Sequence, residues 1–170
     1  MKELILGGVR SGKSKLAEQH ALATSLPVTY IATATADDSE MRARIAHHQA
    51  QRPAHWQLVE EPLALAAALQ RHAANNHCLL VDCLTLWLTN LLCVEDKQRL
   101  QTEIAALLKT LPTLPGHIIL VSNETGMGVV PLGELTRRYC DEAGRLHQAL
   151  AATCNHVILT VAGLPLTLKG

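Results

Sequence analysis

The fold class predicted for this 170-residue chain is α/β: a single domain with a mostly parallel sheet flanked by helices. Three observations predict it. The apolar run Leu4-Ile5-Leu6 feeds directly into Gly7-Gly8-Val9-Arg10-Ser11-Gly12-Lys13-Ser14, a G-x-x-x-x-G-K-S pattern followed by a helix-competent segment. Short β-branched runs then alternate with stretches of helical apolar spacing along the whole chain. Finally, the apolar content is 48% with two Trp, two Tyr and no Phe. Such a core is built from Leu, Ile, Val and Ala, which suits a parallel sheet covered by helices.

The first helix is predicted over Lys15–Ala23 and the second strand over Pro27–Thr33. The acids of Ala34-Thr35-Ala36-Asp37-Asp38 are placed to cap a second helix over Ser39–Gln51, which ends before Pro53 because a residue preceding proline leaves the α region. Trp56–Val59 alternates like a strand. Pro62 opens a third helix at its first position, and Asn75-Asn76 closes it. Cys78–Asp82 is an apolar strand ending in one acid. Leu84, Trp87, Leu88, Leu91 and Leu92 fall at helical spacing, as do Leu100, Ile104, Leu107, Leu108 and Leu111. Ile118–Ser122 and Val157–Val161 are further buried strands, separated by a helical stretch from Pro131 to Cys154 that Gly144 interrupts. Leu166–Leu168 is a final edge strand.

Composition excludes several roles. Fifteen basic and fifteen acidic side chains cancel, so the chain carries no electrostatic footprint for nucleic acid or an anionic membrane. The few aromatics exclude base-stacking platforms. The five cysteines lack a C-x-x-C pair or zinc-ligand spacing and read as small hydrophobes in a reducing compartment. Met1-Lys2-Glu3 leads straight into a strand without a signal peptide, and no apolar run reaches membrane-spanning length, so a cytoplasmic location is expected.

The glycine pattern makes residues Gly7, Gly8, Val9, Arg10, Ser11, Gly12, Lys13 and Ser14 a triphosphate cradle. Its N–H groups and the following helix N-terminus point at the phosphates. Lys13 reaches the β- and γ-phosphates, and Ser14 offers a hydroxyl to Mg²⁺. Asp82, closing an apolar strand, is the second candidate Mg²⁺ ligand, against the plainer reading of a solvated acid at a loop start. In the second helix Met41, Ile45 and His48 share the buried stripe, while Glu40, Arg44, His47 and Gln51 lie about a third of a turn away. His47, with Arg44 one turn before it, is a candidate nucleophile toward phosphorus. Spacing alone leaves that open against an ordinary surface histidine. Asn123-Glu124-Thr125-Gly126-Met127-Gly128 follows the fifth strand as a segment over the ligand crevice; Glu124 there is either a base or polar-group ligand, or a turn residue.

Taken in order, several blocks resemble one family. They are Gly7-Gly8-x-Arg10-Ser11-Gly12-Lys13-Ser14, Tyr30–Thr33, Asp38–Ile45 with His47-His48, Arg52-Pro53-x-His55-Trp56 and Leu80–Thr85. Thr89–Leu92, Ser122-Asn123-Glu124-x-Gly126-Met127-Gly128-x-Val130-Pro131 and Asp141-x-Ala143-Gly144-Arg145 complete the set. The family is the bifunctional adenosylcobinamide kinase/adenosylcobinamide-phosphate guanylyltransferase of cobalamin biosynthesis. The resemblance implies a RecA-like P-loop fold, with ATP or GTP phosphorylating adenosylcobinamide. It also implies that GTP guanylylates His47 before GMP passes to adenosylcobinamide phosphate, and that the assembly is a homotrimer. Candidates for base and ribose contacts are Thr33, Ala34, His48, Gln51, Arg52 and Glu60. One departure stands out: the family often carries asparagine where this chain has His147. Two alternative readings are a single-function small-molecule kinase and a GTP-binding switch.

Overall fold

The computed structural model describes residues 1–35 and 53–170. The helix expected over 39–51, and with it His47, His48, Gln51 and Arg52, lies outside the described residues. Seven strands form one sheet: β1 (Lys2–Gly7), β2 (Val28–Ala32), β3 (Gln57–Glu60), β4 (Cys78–Asp82), β5 (His117–Asn123), β6 (His156–Val161) and β7 (Leu164–Lys169). Its order is β3-β2-β4-β5-β1-β6-β7, parallel throughout except for the antiparallel β6–β7 pair. The helices are α1 (Lys13–Ala23), α2 (Leu65–His72), α3 (Leu84–Cys93), α4 (Lys97–Thr110) and α5 (Glu134–Thr153).

Alternation along each strand divides the core. Leu4, Leu6, Ile31, Leu79, Val81, Ile118, Leu120 and Val157 pack on one face with residues of α2, α3, α4 and α5. Ile5, Val28, Tyr30, Leu80, Ile119 and Val121 point the other way and meet Ala17 and Ala21 of α1 together with Trp56. Both faces are apolar because the described crossovers lay helices on both sides of the sheet. Trp87 is fully buried in the larger cluster, and its indole N–H donates to the Leu63 carbonyl at 2.7 Å. A large side chain is thus buried without orphaning its donor.

Several element boundaries differ from expectation. Helix α2 starts at Leu65 rather than Pro62, because the Glu61 carboxylate accepts from the Leu63 and Ala64 N–H groups and organises the turn before the helix. It stops at His72, where Ala73 turns extended, three residues before Asn75. Helix α5 starts at Glu134 and runs unbroken through Gly144. A mid-helix glycine costs about 1 kcal/mol relative to alanine. The buried stripe Ala143, Leu146, His147 and Leu150 outweighs that cost. The last strand spans six residues, not three, and pairs through a two-residue turn in which Ala162 and Gly163 both take positive φ, 52° and 80°. That is the backbone geometry of a tight hairpin turn whose twist matches its strands.

Candidate active site

Strand β1 enters the phosphate loop and α1 leaves it. Gly7 closes β1 against the β6 backbone and the buried Ser11 side chain: a Cβ built on Gly7 stands 2.4 Å from Ser11 Oγ and 2.6 Å from the Thr160 carbonyl oxygen. Gly12, the residue preceding α1, has φ of 94°, and a Cβ there meets Gly163 Cα at 3.2 Å. Both glycines therefore have a steric reason, one for close approach and one for left-handed backbone. Arg10 also sits at positive φ, 56°. The Ser11 N–H donates to the Gly8 carbonyl at 3.2 Å, and the Gly163 N–H of the β6–β7 turn donates to the Ser11 carbonyl at 2.8 Å. The loop is thus braced from the side by the hairpin. Ser11 Oγ is buried and lacks a hydrogen-bond partner within the structure, one polar atom of this cradle that a ligand or water would satisfy. Val9 projects into solvent.

Lys13 opens α1 and donates to the Gly8 carbonyl at 3.2 Å. Partial burial lowers the pKa of its ammonium, and the Asp82 carboxylate opposes that shift. Asp82 ends β4, separated from β1 by β5 alone, so the phosphate loop and the acid meet at the same carboxyl edge. Tyr30 of β2 donates its hydroxyl to Asp82 Oδ2 at 3.0 Å, orienting the carboxylate. Ser14 is half-buried in the first turn of α1. A hydroxyl and a carboxylate are hard oxygen donors, and no group of three His, Cys, Asp or Glu side chains able to hold a metal occurs among the described residues. Hard oxygen donors of this kind fit Mg²⁺, which keeps several waters and is shared with substrate phosphates.

The other predicted positions separate. Thr33 is fully buried, and its hydroxyl donates to the Cys83 carbonyl (2.6 Å) and accepts from the Cys83 N–H (3.1 Å). That bond pair anchors the chain just past Asp82. Ala34 is half-buried in the segment after β2, and Glu60 is exposed at the end of the edge strand β3, paired in register with Ala32.

Glu124, a candidate from sequence, and residues given no role there, Asn90 and Thr85, also build this edge. Asn90 of α3 donates to the carbonyls of Thr33 (2.8 Å) and Pro62 (3.1 Å), tying the exit of β2 to the approach to α2. The Thr85 hydroxyl accepts from the Asn123 N–H at 2.7 Å. Glu124 donates its N–H to the Gly7 carbonyl at 3.0 Å, which places it directly beside the loop. Its Oε1 accepts from the Gly126 N–H at 2.6 Å, and its Oε2 lies 3.6 Å from His147 Nδ1. The pattern of polar residues at strand ends was the available sequence signal; their partners come from distant segments.

A family model described as "Cobinamide kinase / cobinamide phosphate guanyltransferase" matches residues 3–168. The chain belongs to this family. It is an enzyme family that joins a kinase with a guanylyltransferase. Among relatives, the bifunctional adenosylcobalamin biosynthesis protein CobP of Pseudomonas aeruginosa is 66% identical, over all of this chain and 98% of its own. CobU of Escherichia coli K12, carrying the same bifunctional description, is 40% identical over 99% of this chain and all of its own. Among solved structures, the RadB recombinase aligns with a TM-score of 0.51 at 16% identity, covering 93% of this chain and 73% of RadB. A Pyrococcus horikoshii protein aligns at 0.54 with 9% identity, covering 99% of this chain and 86% of its own. These two likenesses concern the fold, and they agree with the P-loop α/β architecture expected from the RecA-like resemblance.

Proposed function

We propose that this member of the cobinamide kinase/guanyltransferase family carries out both reactions on one phosphate cradle. In the first, ATP or GTP sits on residues 7–14 and the aminopropanol hydroxyl of adenosylcobinamide attacks the γ-phosphorus, releasing the nucleoside diphosphate. In the second, a ring nitrogen of His47 attacks the α-phosphorus of GTP and pyrophosphate leaves. The resulting phosphoramidate then passes GMP to adenosylcobinamide phosphate, giving adenosylcobinamide-GDP. The observation that carries this reading is the convergence of Lys13, Ser14 and Asp82 at one sheet edge in a chain of this family.

Electrostatic stabilisation at such an edge serves either displacement, since both develop charge on phosphoryl oxygens. Lys13 and the loop N–H groups bind and orient the triphosphate. Ser14 and Asp82 would hold Mg²⁺, which supplies charge neutralisation when bound. Ala34, His48, Gln51, Arg52 and Glu60 remain the candidates for base and ribose, with Thr33 acting from within the fold. The protein works as a homotrimer in the cytoplasm on this reading.

The test is incubation with α-labelled GTP followed by denaturation. Acid-labile, base-stable label on the protein, absent in His47→Ala, is the expected result. Label that persists in His47→Ala and disappears in His48→Ala moves the nucleophile by one residue. Wild-type protein that phosphorylates adenosylcobinamide but takes no label is a kinase alone.

A further inference from the structure

One group of side chains at the carboxyl edge is used neither by the phosphate cradle nor by the two displacements above. Ser122, the penultimate residue of β5, is 1% exposed, and its Oγ lies 2.8 Å from His147 Nε2. His147, on the buried stripe of α5, turns its other nitrogen toward Glu124 Oε2 at 3.6 Å. One neutral tautomer serves both partners: Nδ1–H faces the carboxylate, while Nε2 accepts from the serine hydroxyl. Burial lowers the imidazole's pKa and so favours that neutral form, although Glu124 pulls the other way.

A serine, a histidine and a carboxylate in line resemble a hydrolytic triad, but here the order of access is reversed. The serine is sealed in the core, and the carboxylate is the member that reaches solvent, with 20% of its side chain exposed. The line therefore runs outward, from a buried anchor, through a fixed ring, to Glu124. Glu124 is also fixed by its own backbone bond to Gly7 and by the Gly126 N–H on Oε1. It stands at the end of β5, between the strand that carries the phosphate loop and the strand that carries Asp82.

We propose that Glu124 takes up the proton of the hydroxyl that is phosphorylated, and that His147, anchored by Ser122, is the positioning residue that holds the Glu124 carboxylate for this task. The proposal rests on the kinase reading above. In the step, the hydroxyl oxygen bonds to the γ-phosphorus as the bond to the leaving diphosphate breaks. The proton passes to the Glu124 carboxylate and from there to water. Guanylylation of a histidine has no substrate hydroxyl to deprotonate, so the line belongs to the first reaction.

Steady-state phosphorylation of adenosylcobinamide in four variants tests this. His147→Asn sets an amide N–H where Nδ1 stands, keeping a donor toward Glu124 while dropping the Ser122 bond. His147→Gln reaches the Nε2 position, keeping the Ser122 bond while withdrawing the donor from Glu124. The expected result for H147Q is a kcat roughly 10- to 100-fold lower, with KM for adenosylcobinamide nearly unchanged, since general-base assistance is worth about 10²–10⁴. H147N should stay within about threefold of wild type. Glu124→Gln should lose kcat at least as far as H147Q, and the double variant H147Q/E124Q should fall no further than E124Q, because both act through one carboxylate. Should H147Q fail to fold by its melting curve, His147→Leu, which likewise withdraws the donor from Glu124, takes its place and must lower kcat without raising KM. H147Q with wild-type kcat, H147N as impaired as H147Q, or multiplicative losses in the double variant each overturn the proposal. Wild-type protein that forms no phosphorylated corrinoid overturns the kinase reading together with it, a result distinct from an active wild type whose variants are equally active.

Discussion

At Gly7 the demand on the sequence is steric. Its missing side chain lets the loop turn within van der Waals reach of both Ser11 and the Thr160 carbonyl. Gly7→Ala must displace both a buried hydroxyl and the backbone of β6, and crowding of that kind costs about 1–3 kcal/mol. The expected outcome is a lower denaturation midpoint and weaker GTP affinity in the same variant, read by denaturant melts and titration calorimetry. A Gly7→Ala protein that matches wild type in both would show that the loop tolerates displacement here. Thr33 makes the complementary point. From sequence, a polar residue at the carboxyl end of β2 reads as a ligand contact, yet its hydroxyl closes on the Cys83 backbone fifty residues later. The positions of Lys13 at the start of α1 and of Asp82 at the end of β4 were legible in the sequence. A hydroxyl, which bonds whatever stands nearest, was not.

At the scale of elements, Glu3 shows how strands and helices are pinned at the end of the sheet away from the phosphate loop. Its carboxylate, 5% exposed on β1, meets His20 of α1 at 2.6 Å and His117 of β5 at 3.4 Å. Burial by itself would raise the carboxyl pKa, but the hydrogen bonds and charges of the two histidines prevail, and it lies below its ordinary value. The unfolded carboxyl therefore takes up its proton at a higher pH than the folded one. The stability this group contributes is fully present above the ordinary carboxylate pKa and is lost as the pH falls through the lowered folded value. Glu3→Gln should flatten that acid limb: wild type loses melting temperature on acidification below about pH 5 more steeply than the variant does. Parallel slopes for the two proteins in pH-dependent melts would refute this assignment. Elements with strong periodicity were recovered from sequence with shifted ends. Helix α2 begins later because Glu61 caps the preceding turn, and α5 crosses Gly144 because its apolar stripe continues. Both causes are contacts between residues rather than properties of one residue.

For the whole molecule, strand order does the work that the motifs alone leave undone. Inserting β5 between β1 and β4 brings the segment after Asn123 to the centre of the edge where the phosphate loop and Asp82 meet. The same topology leaves β7 with all six residues exposed, among them Leu164, Leu166 and Leu168, and leaves Met127, Val129, Val130 and Leu132 exposed after β5. Apolar surface of that extent is unusual for an isolated chain. With the proposed homotrimer, sedimentation equilibrium should return three times the 18.4 kDa chain mass across micromolar concentrations, and a single-chain mass would refute it. The sequence by itself determined the α/β class, the phosphate cradle, the acid at the end of β4 and the family, because each depends on residue types at short, regular spacing. Only the tertiary structure decided that Tyr30 orients Asp82, that the β6–β7 turn braces Ser11, and that Ser122, His147 and Glu124 form one line. Those pairings join residues from 23 (Glu124 and His147) to more than 150 positions apart, and chain packing rather than local pattern sets which of them meet.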